Sequence, residues 1–503
     1  MHSPHQSLQR PKWYLLPLTG TSTTEVQQKS IVLSRYIQQY PYVTLGQVAT
    51  LLGQEVRDNA FRQAALINDA AQLAEQLATN EIKTTAVQTS RTVFMFPGIG
   101  DHYLQMGRGL YETLPYFREI VDECDAALRP FLNQSLTKLL YPETNSPVEA
   151  APTSGLDLAA MLGRKPTANT NDEQEARLQE TAVAHPLVFS LEYALARLLQ
   201  QWGVEPDGLI GYSLGEYVAA TIAGVITLKD ALTLVARRAQ LIQALPPGKM
   251  LAVPLSQEDV TPYLSQQVSL SAHNGDALTI LAGEAEAVLD VQQQLQNQQV
   301  ACRLLDTSHA FHSHMMQGAA ADLTKLAQTI TYTAPKIPYL SNVTGTWITA
   351  KQATDPTYWT QHMCQPVQYF SMLRNLLGQG QTHHLIEVGP GQSLGAFVKQ
   401  HPQCKPEQYA LIYPTIRYSY DHQDDHWFLL ATIRKLWLSG VNLQWAALLS
   451  GHSDVVFETP EQPLSFTSPQ GNVLSQQAIQ QKDRGEKRRQ NRLRRRGSRT
   501  ENG

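Results

Sequence analysis

The stretch 207–224, DGLIGYSLGEYVAATIAG, restricts the fold more than any other part of this sequence. It reads as a strand, a sharp glycine turn and an alanine-rich helix, which is an element of an α/β sheet. Within it, Gly211-Tyr212-Ser213-Leu214-Gly215 is a Gly-x-Ser-x-Gly turn between strand and helix, the pattern of a nucleophile elbow. The glycines have a steric task, because so tight a turn leaves no room for side chains beside the serine. The turn lifts the serine oxygen clear of the sheet. The helix that follows aims its free N–H groups at whatever oxygen the serine attacks.

The rest of the chain fits several units, as 503 residues require. Residues 1–12 read as a disordered lead. Residues 13–90 read as a small α/β unit: a strand at Trp13–Gly20, then a helix capped by Thr23 or Thr24 and further short helical patterns. Arg91–Tyr103, RTVFMFPGIGDHY, is a buried-type strand entering a second glycine turn, followed by an amphipathic helix with Met106, Leu110, Tyr111 and Leu114 near helical spacing. Residues 141–180 read as a surface excursion with one short helix at 157–162. The stretch 185–203 reads as a strong helix with Pro186 in its first turn. The pattern then changes: residues 250–305 give strand, helix (QEDVTPYLSQ), strand, strand, helix, strand, the βαββαβ order of a ferredoxin-like unit.

The expected fold class is therefore α/β. A large α/β-hydrolase-like domain with a parallel sheet, residues 91–249 and 306–405, receives an inserted ferredoxin-like subdomain at 250–305. A segment at 406–449 closes the ordered part, and 450–503 reads as a disordered basic tail.

Composition excludes several function classes. A net charge of −4 predicts no general affinity for nucleic acid or for a membrane surface. Four scattered cysteines show neither framework spacing nor a CxxC pair, which argues against a disulfide scaffold and a zinc site and suits a reducing cytoplasm. The start lacks the apolar core of a signal peptide, and no uninterrupted apolar run is long enough to span a bilayer.

A serine hydroxyl is a weak nucleophile and needs a base. His185, His273, His309, His312 and His314 are all candidates, and composition does not choose among them. The turn after the Arg91 strand offers backbone N–H groups that could complete an oxyanion hole.

Six motifs then appear in order: FMFPGIGDHYLQMG, GYSLGEYVAATIAGVITLKDAL, VARRAQLI, SHAFHSHMM, LSNVTG and IEVGPGQSL. Together they resemble the acyltransferase domain of modular type I polyketide synthases and, more distantly, the malonyl transferase of fatty-acid synthesis. The resemblance covers about residues 12–447. It makes 13–90 similar to the linker between ketosynthase and acyltransferase, and 406–449 similar to the segment after the acyltransferase. It implies that Ser213 carries the acyl group and that His312, last residue of His-Ala-Phe-His, is the general base, oriented by a backbone carbonyl; the turn at Ser341 and Asn342 is the expected source of that support. It implies an oxyanion hole made by the N–H groups of Leu214 and Ile99. It matches Arg238 to the family arginine that holds the free carboxylate of the extender unit, whereas the neighbouring Arg237 reads as a surface residue. A guanidinium offers two parallel donors to a carboxylate and stays charged when buried. It implies that Phe311 fills the space an α-methyl group would need, hence a preference for malonyl, and that His185, His309, Asn274 and Tyr212 line the substrate site.

The implied activity is transfer of a malonyl-type unit from coenzyme A to the phosphopantetheine arm of an acyl carrier protein. No permanently bound cofactor and no metal is expected; malonyl-CoA is substrate. Expected partners are the carrier protein, the coenzyme A thioester and ketosynthase or other synthase modules. Three positions depart from the family pattern: Ile99 and His185 where it usually has Gln, and Tyr212 where it usually has His. Two other readings remain at this stage, a serine hydrolase that clears acyl groups from carriers and a non-catalytic docking module. Arg238 and His-Ala-Phe-His favour transfer over the first, and the intact Ser213, His312 and Arg238 speak against the second.

Overall fold

The computed structural model describes residues 13–57, 61–79, 83–84, 90–142, 170–378, 380–450 and Leu464. The expected lead at 1–12, the short helix at 157–162 and the basic tail, apart from Ser450 and Leu464, lie outside the described residues. The described residues form two compact units, one on 90–432 and one on 13–84 with 433–450.

The first unit is organised by a five-stranded sheet in the order Tyr339–Leu340, Gly208–Gly211, Arg91–Phe96, His383–Glu387, Ile412–Pro414. Every neighbouring pair is parallel. Arg91–Phe96 lies at the centre, and its side chains from Thr92 onward are buried, as befits a parallel strand covered on both faces. The register sets Phe96 beside Gly211 and Met95 beside Glu387. The carboxyl ends of three adjacent strands are thus level, and the loops leaving them converge. Open α/β sheets place their ligand sites along this edge.

The helix Thr181–Gln201 is buried along nearly all of its length. It is long and apolar enough to cross a membrane by composition, yet here it is core, packed on the helices Pro115–Leu132 and Leu228–Gln243. Pro186 does not sit in its first turn as expected. The helix begins at Thr181 and takes Pro186 into its interior, where the Pro186 carbonyl accepts from Ser190 Oγ at 2.6 Å.

The inserted subdomain is a four-stranded antiparallel sheet in the order Val268–Gly275, Leu278–Gly283, Lys249–Val253, Arg303–Leu304. This is the strand order of the split βαβ unit. Its core joins Leu251, Val253, Val268 and Leu281 to Val288, Val291 and Leu295 of the helix Ala285–Asn297. The helix expected over QEDVTPYLSQ is absent; only a 3-10 turn, Thr261–Tyr263, forms there. Pro262 supplies no N–H and clashes with a preceding helical turn, so the segment stops after one turn capped by Ser256.

In the second unit Tyr14–Gly20 and Phe61–Ile67 pair antiparallel over their whole length, and Lys83–Thr84 adds a short third strand. The cap of the helix Thr23–Gln39 is Ser22, whose hydroxyl accepts from Glu25 N–H at 3.2 Å, and not Thr23 or Thr24. Arg62 is buried, and its guanidinium donates to the carbonyls of Trp437 and Val441 and to Asn442 Oδ1. That arginine explains why 433–449 packs with the first strands, while 406–432 belongs to the large unit, a division other than the expected one at 406.

Candidate active site

The elbow is built by contact. A Cβ on Gly211 would lie 2.2 Å from the Gly215 carbonyl carbon, and one on Gly215 would lie 2.1 Å from the Phe96 oxygen. Only glycine lets the turn press this closely on the central strand. Ser213 between them has φ +51°, a left-handed conformation that costs a non-glycine residue energy.

Asn342 holds the strained turn. Its Oδ1 accepts from Ser213 N–H at 2.9 Å, and its Nδ2 donates to the Gly211 carbonyl at 2.7 Å and to Glu216 Oε2 at 2.5 Å. Glu216, fully buried, also accepts from Asn342 N–H at 2.8 Å and from the Tyr358 hydroxyl. The Leu340–Gly345 turn therefore clamps the nucleophile and does not orient the base as expected.

Among the five candidate histidines, His312 reaches the serine, with Nε2 2.6 Å from Ser213 Oγ. It too is left-handed, φ +57°. Its Nδ1 faces the carbonyls of His362 at 3.0 Å and Gln365 at 3.2 Å. Carbonyls only accept, so Nδ1 carries the proton and Nε2 presents a lone pair to the serine hydroxyl. Burial pushes its pKa well below the usual histidine value, and the nearby His362 and Arg238 push it further down. A neutral imidazole is the form a general base requires. His273 instead packs on Phe370, and His314 Nδ1 meets Ser269 Oγ at 2.8 Å.

The loop Phe96–Gly98 lies against the elbow: a Cβ on Gly98 would stand 2.7 Å from the Tyr212 carbonyl oxygen and 3.4 Å from Leu214 Cβ. The amides of Leu214 and Ile99 donate to no protein acceptor among the described residues. One follows the serine directly, and the other follows Gly98, which abuts the elbow.

Arg238 is 1% exposed on the helix Leu228–Gln243, whereas Arg237 points to solvent. One Arg238 donor, Nη1, lies 2.9 Å from His185 Nδ1, its guanidinium stands 5.4 Å over the Tyr217 ring, and its Nε has no partner. No carboxylate pairs with it among the described residues. A guanidinium only donates, so His185 Nδ1 accepts and its proton sits on Nε2, buried and unpartnered. Burial, then the Arg238 charge, holds the His185 pKa well below its usual value. The ring of Phe311 lies 5.5 Å from that of His185 and 6.1 Å from that of His309. His309 is itself anchored through Nδ1 by Ser308 at 2.8 Å and Thr181 at 3.2 Å.

Tyr217, under the Arg238 guanidinium, lies 5.2 Å from the His362 ring, and that ring lies 5.7 Å from His312, so dyad, guanidinium, His185, Phe311 and His309 form one connected group. Tyr212 and Asn274 form another. The Tyr212 hydroxyl meets Asn274, its ring packs on Tyr369 and Phe397, and burial pushes its pKa up to about 12. Glu216, His362, Gln365 and Tyr358 were not anticipated from sequence. Glu216 was the most legible of them, since it stands inside the elbow motif.

Comparison with known proteins gives the family and the fold. The family described as "Acyl transferase domain" matches residues 93–443. The chain is 32% identical over 397 residues to a component of the phenolphthiocerol/phthiocerol polyketide synthase of Mycobacterium tuberculosis, covering 79% of this chain and 24% of that protein. It is 34% identical over 327 residues to the mycoketide-CoA synthase of the same organism, covering 65% and 7%. The chain thus spans about a quarter or less of the length of these curated relatives. Among solved structures, the acyl transferase domain of ZmaA superposes with a TM-score of 0.77 at 30% identity, covering 90% of this chain and all of that one. The acyl transferase domain of SpnD, in complex with 2-(pent-4-yn-1-yl)malonyl, gives 0.71 at 29% identity, covering 86% and 98%.

Proposed function

The chain belongs to the acyl transferase domain family, and from that premise we propose that it loads a malonyl-type extender unit from coenzyme A onto the phosphopantetheine thiol of an acyl carrier protein in polyketide assembly. The observation that supports the choice of acyl group is the buried guanidinium of Arg238, without a counter-ion among the described residues and near enough to His312 for its charge to act there. A buried charge without a counter-ion is costly. A site that keeps one free beside a nucleophile suits a ligand that brings the carboxylate. A neutral acyl group has no use for it, and neither does a hydrolase for neutral esters.

The reaction divides into two transfers. His312 Nε2 takes the proton as Ser213 Oγ attacks the thioester carbonyl. The developing oxyanion lies between the Leu214 and Ile99 amides, and coenzyme A leaves as its thiol after receiving the proton. The carrier thiol then attacks the acyl-serine, gives its proton to His312, and Ser213 is released with that proton. Arg238 holds the carboxylate through both steps. Phe311, confined by His185 and His309, fills the space beside the α-carbon and favours an unsubstituted malonyl unit.

The experiment is exposure of the protein to labelled malonyl-CoA, followed by mass spectrometry. A malonyl mass should appear on the peptide containing Ser213 and be absent in Ser213→Ala. Label retained by that variant would show the nucleophile to be another residue. Label lost to water faster than to a carrier thiol would favour the hydrolase.

A further inference from the structure

The loop that carries Ile99 is held by a carboxyl group that the reaction above leaves unused. Glu192 is fully buried on the helix Thr181–Gln201, seven residues beyond His185 and so on the same face. Its Oε1 accepts from Gly98 N–H at 2.7 Å, while its Oε2 has no partner. Gly98 has φ +72° and abuts the elbow carbonyl of Tyr212. On the other side, a Cβ on Gly389 would lie 2.9 Å from Glu192 Oε1 and 2.8 Å from Pro97. The carboxyl is thus wedged between the loops that leave two neighbouring parallel strands.

We propose that Glu192 is the positioning residue of the oxyanion hole: by accepting the Gly98 amide it fixes the Pro97–Gly98 peptide plane, from which the left-handed turn at Gly98 aims the Ile99 N–H at the oxygen of the tetrahedral intermediate. This rests on Ser213 being the acyl-bearing nucleophile, though not on which acyl group it carries. The need is physical. A glycine loop has wide backbone freedom, and a donor contributes to an oxyanion hole only when already aimed at where charge develops. The group acts as a neutral acid, since burial raises its pKa well above the carboxylate range against the opposing effect of the Gly98 bond. A neutral carboxyl accepts through its carbonyl oxygen, as the side-chain amide of glutamine does. Glutamine should therefore replace it, and a side chain of similar size without an acceptor should not.

The test uses the full chain and a fluorophosphonate. Ser213 Oγ forms the bond to phosphorus, fluoride leaves, the proton passes to His312, and the phosphoryl oxygen occupies the hole. Glu192→Met should label about 10–100-fold more slowly than wild type, less than the full loss of a hole donor. Its pH midpoint should be unchanged, because His312 is untouched. Glu192→Gln should label within about threefold of wild type, that is, retain the aimed donor. Malonyl-CoA acylation should fall by the same factor in kcat with KM preserved. Met labelling at the wild-type rate, or Gln as slow as Met, overturns the proposal. Hydrogen exchange on the wild-type protein decides independently of any variant's folding: the Gly98 amide should be protected, and rapid exchange there overturns the assignment. If wild type takes fluorophosphonate but no malonyl, the reading of the acyl group fails while that of Glu192 stands.

Discussion

Arg238→Met removes the charge and keeps most of the volume, so it isolates what the guanidinium does for the acyl group. With Nη1 committed to His185, the Nε and Nη2 edge is left for a ligand. Two charge-assisted hydrogen bonds contribute about 1.5–3 kcal/mol each, and breaking a buried ion pair costs about 3–5 kcal/mol. At about 1.4 kcal/mol per decade, malonyl kcat/KM should fall roughly 10²–10⁴-fold. Acetyl-CoA brings no carboxylate, and wild type offers it an uncompensated buried cation. The variant should therefore acylate from acetyl-CoA at least as fast as wild type. Some packing is lost, since the guanidinium stands 5.4 Å over Tyr217, a contact of about 0.5–2 kcal/mol. Melting curves separate that loss from the kinetics. The assay is quenched-flow acylation of Ser213 from each labelled thioester. A malonyl-to-acetyl ratio unchanged by the substitution would refute the carboxylate clamp, whatever happened to the absolute rates.

Other consequences are more local. Phe311→Ala should raise the ratio of methylmalonyl to malonyl transfer about 10-fold, the low end of what one methyl-sized space is worth, because His185 and His309 still narrow the pocket; competition mass spectrometry reads it, and a fixed ratio counts against the steric account. Asn342→Leu strips the side-chain partner from Ser213 N–H and the Gly211 carbonyl, while Glu216 keeps the backbone N–H of position 342 and the Tyr358 hydroxyl; at about 1–3 kcal/mol per orphaned group it should lower unfolding free energy by about 2 kcal/mol or more, and a change below about 1 kcal/mol in denaturant curves contradicts the clamp. Because the folded pKa of His312 lies well below the ordinary value, fluorophosphonate labelling should stay level from about pH 8 to below about 6.5 and fall only as pH drops through that lowered pKa; a midpoint at or above about 6.5 refutes the neutral-base reading.

The elbow, the central strand and the order of strands in the inserted subdomain were legible because each has a local cause. Gly211 and Gly215 are forced by contact with the neighbouring backbone, and the apolar run at Arg91–Phe96 by burial on both faces. What was not legible depends on distant partners. Nothing near His312 in sequence indicates that its Nδ1 meets carbonyls some fifty residues away. Nothing near Ser213 indicates that Asn342 clamps it. Pro186 and Pro262 show the two outcomes of one local rule. A helix held by burial on every side kept its proline inside, and a short exposed segment with one such residue did not propagate. Arg237 and Arg238 are chemically identical in sequence, and only the face each takes on the helix separates a solvent residue from a buried cation.

The electrostatics of the pocket decide when the base is strong. In the free site burial holds the imidazoles of His185 and His312 toward the neutral form, and the Arg238 cation, without a counter-ion among the described residues, adds to that push. A carboxylate docked on Arg238 offsets that charge and removes its push on His312. On the proposed reading the basicity of His312 rises in the complex with an acid-bearing acyl group, when the serine proton must be taken, while burial and His362 still hold it down. A neutral acyl group leaves the cation uncompensated and the base weaker. If Arg238 takes the acyl carboxylate as proposed, binding and activation are linked at two side chains, and the guanidinium should select for the carboxylate in the rate of the chemical step as well as in affinity.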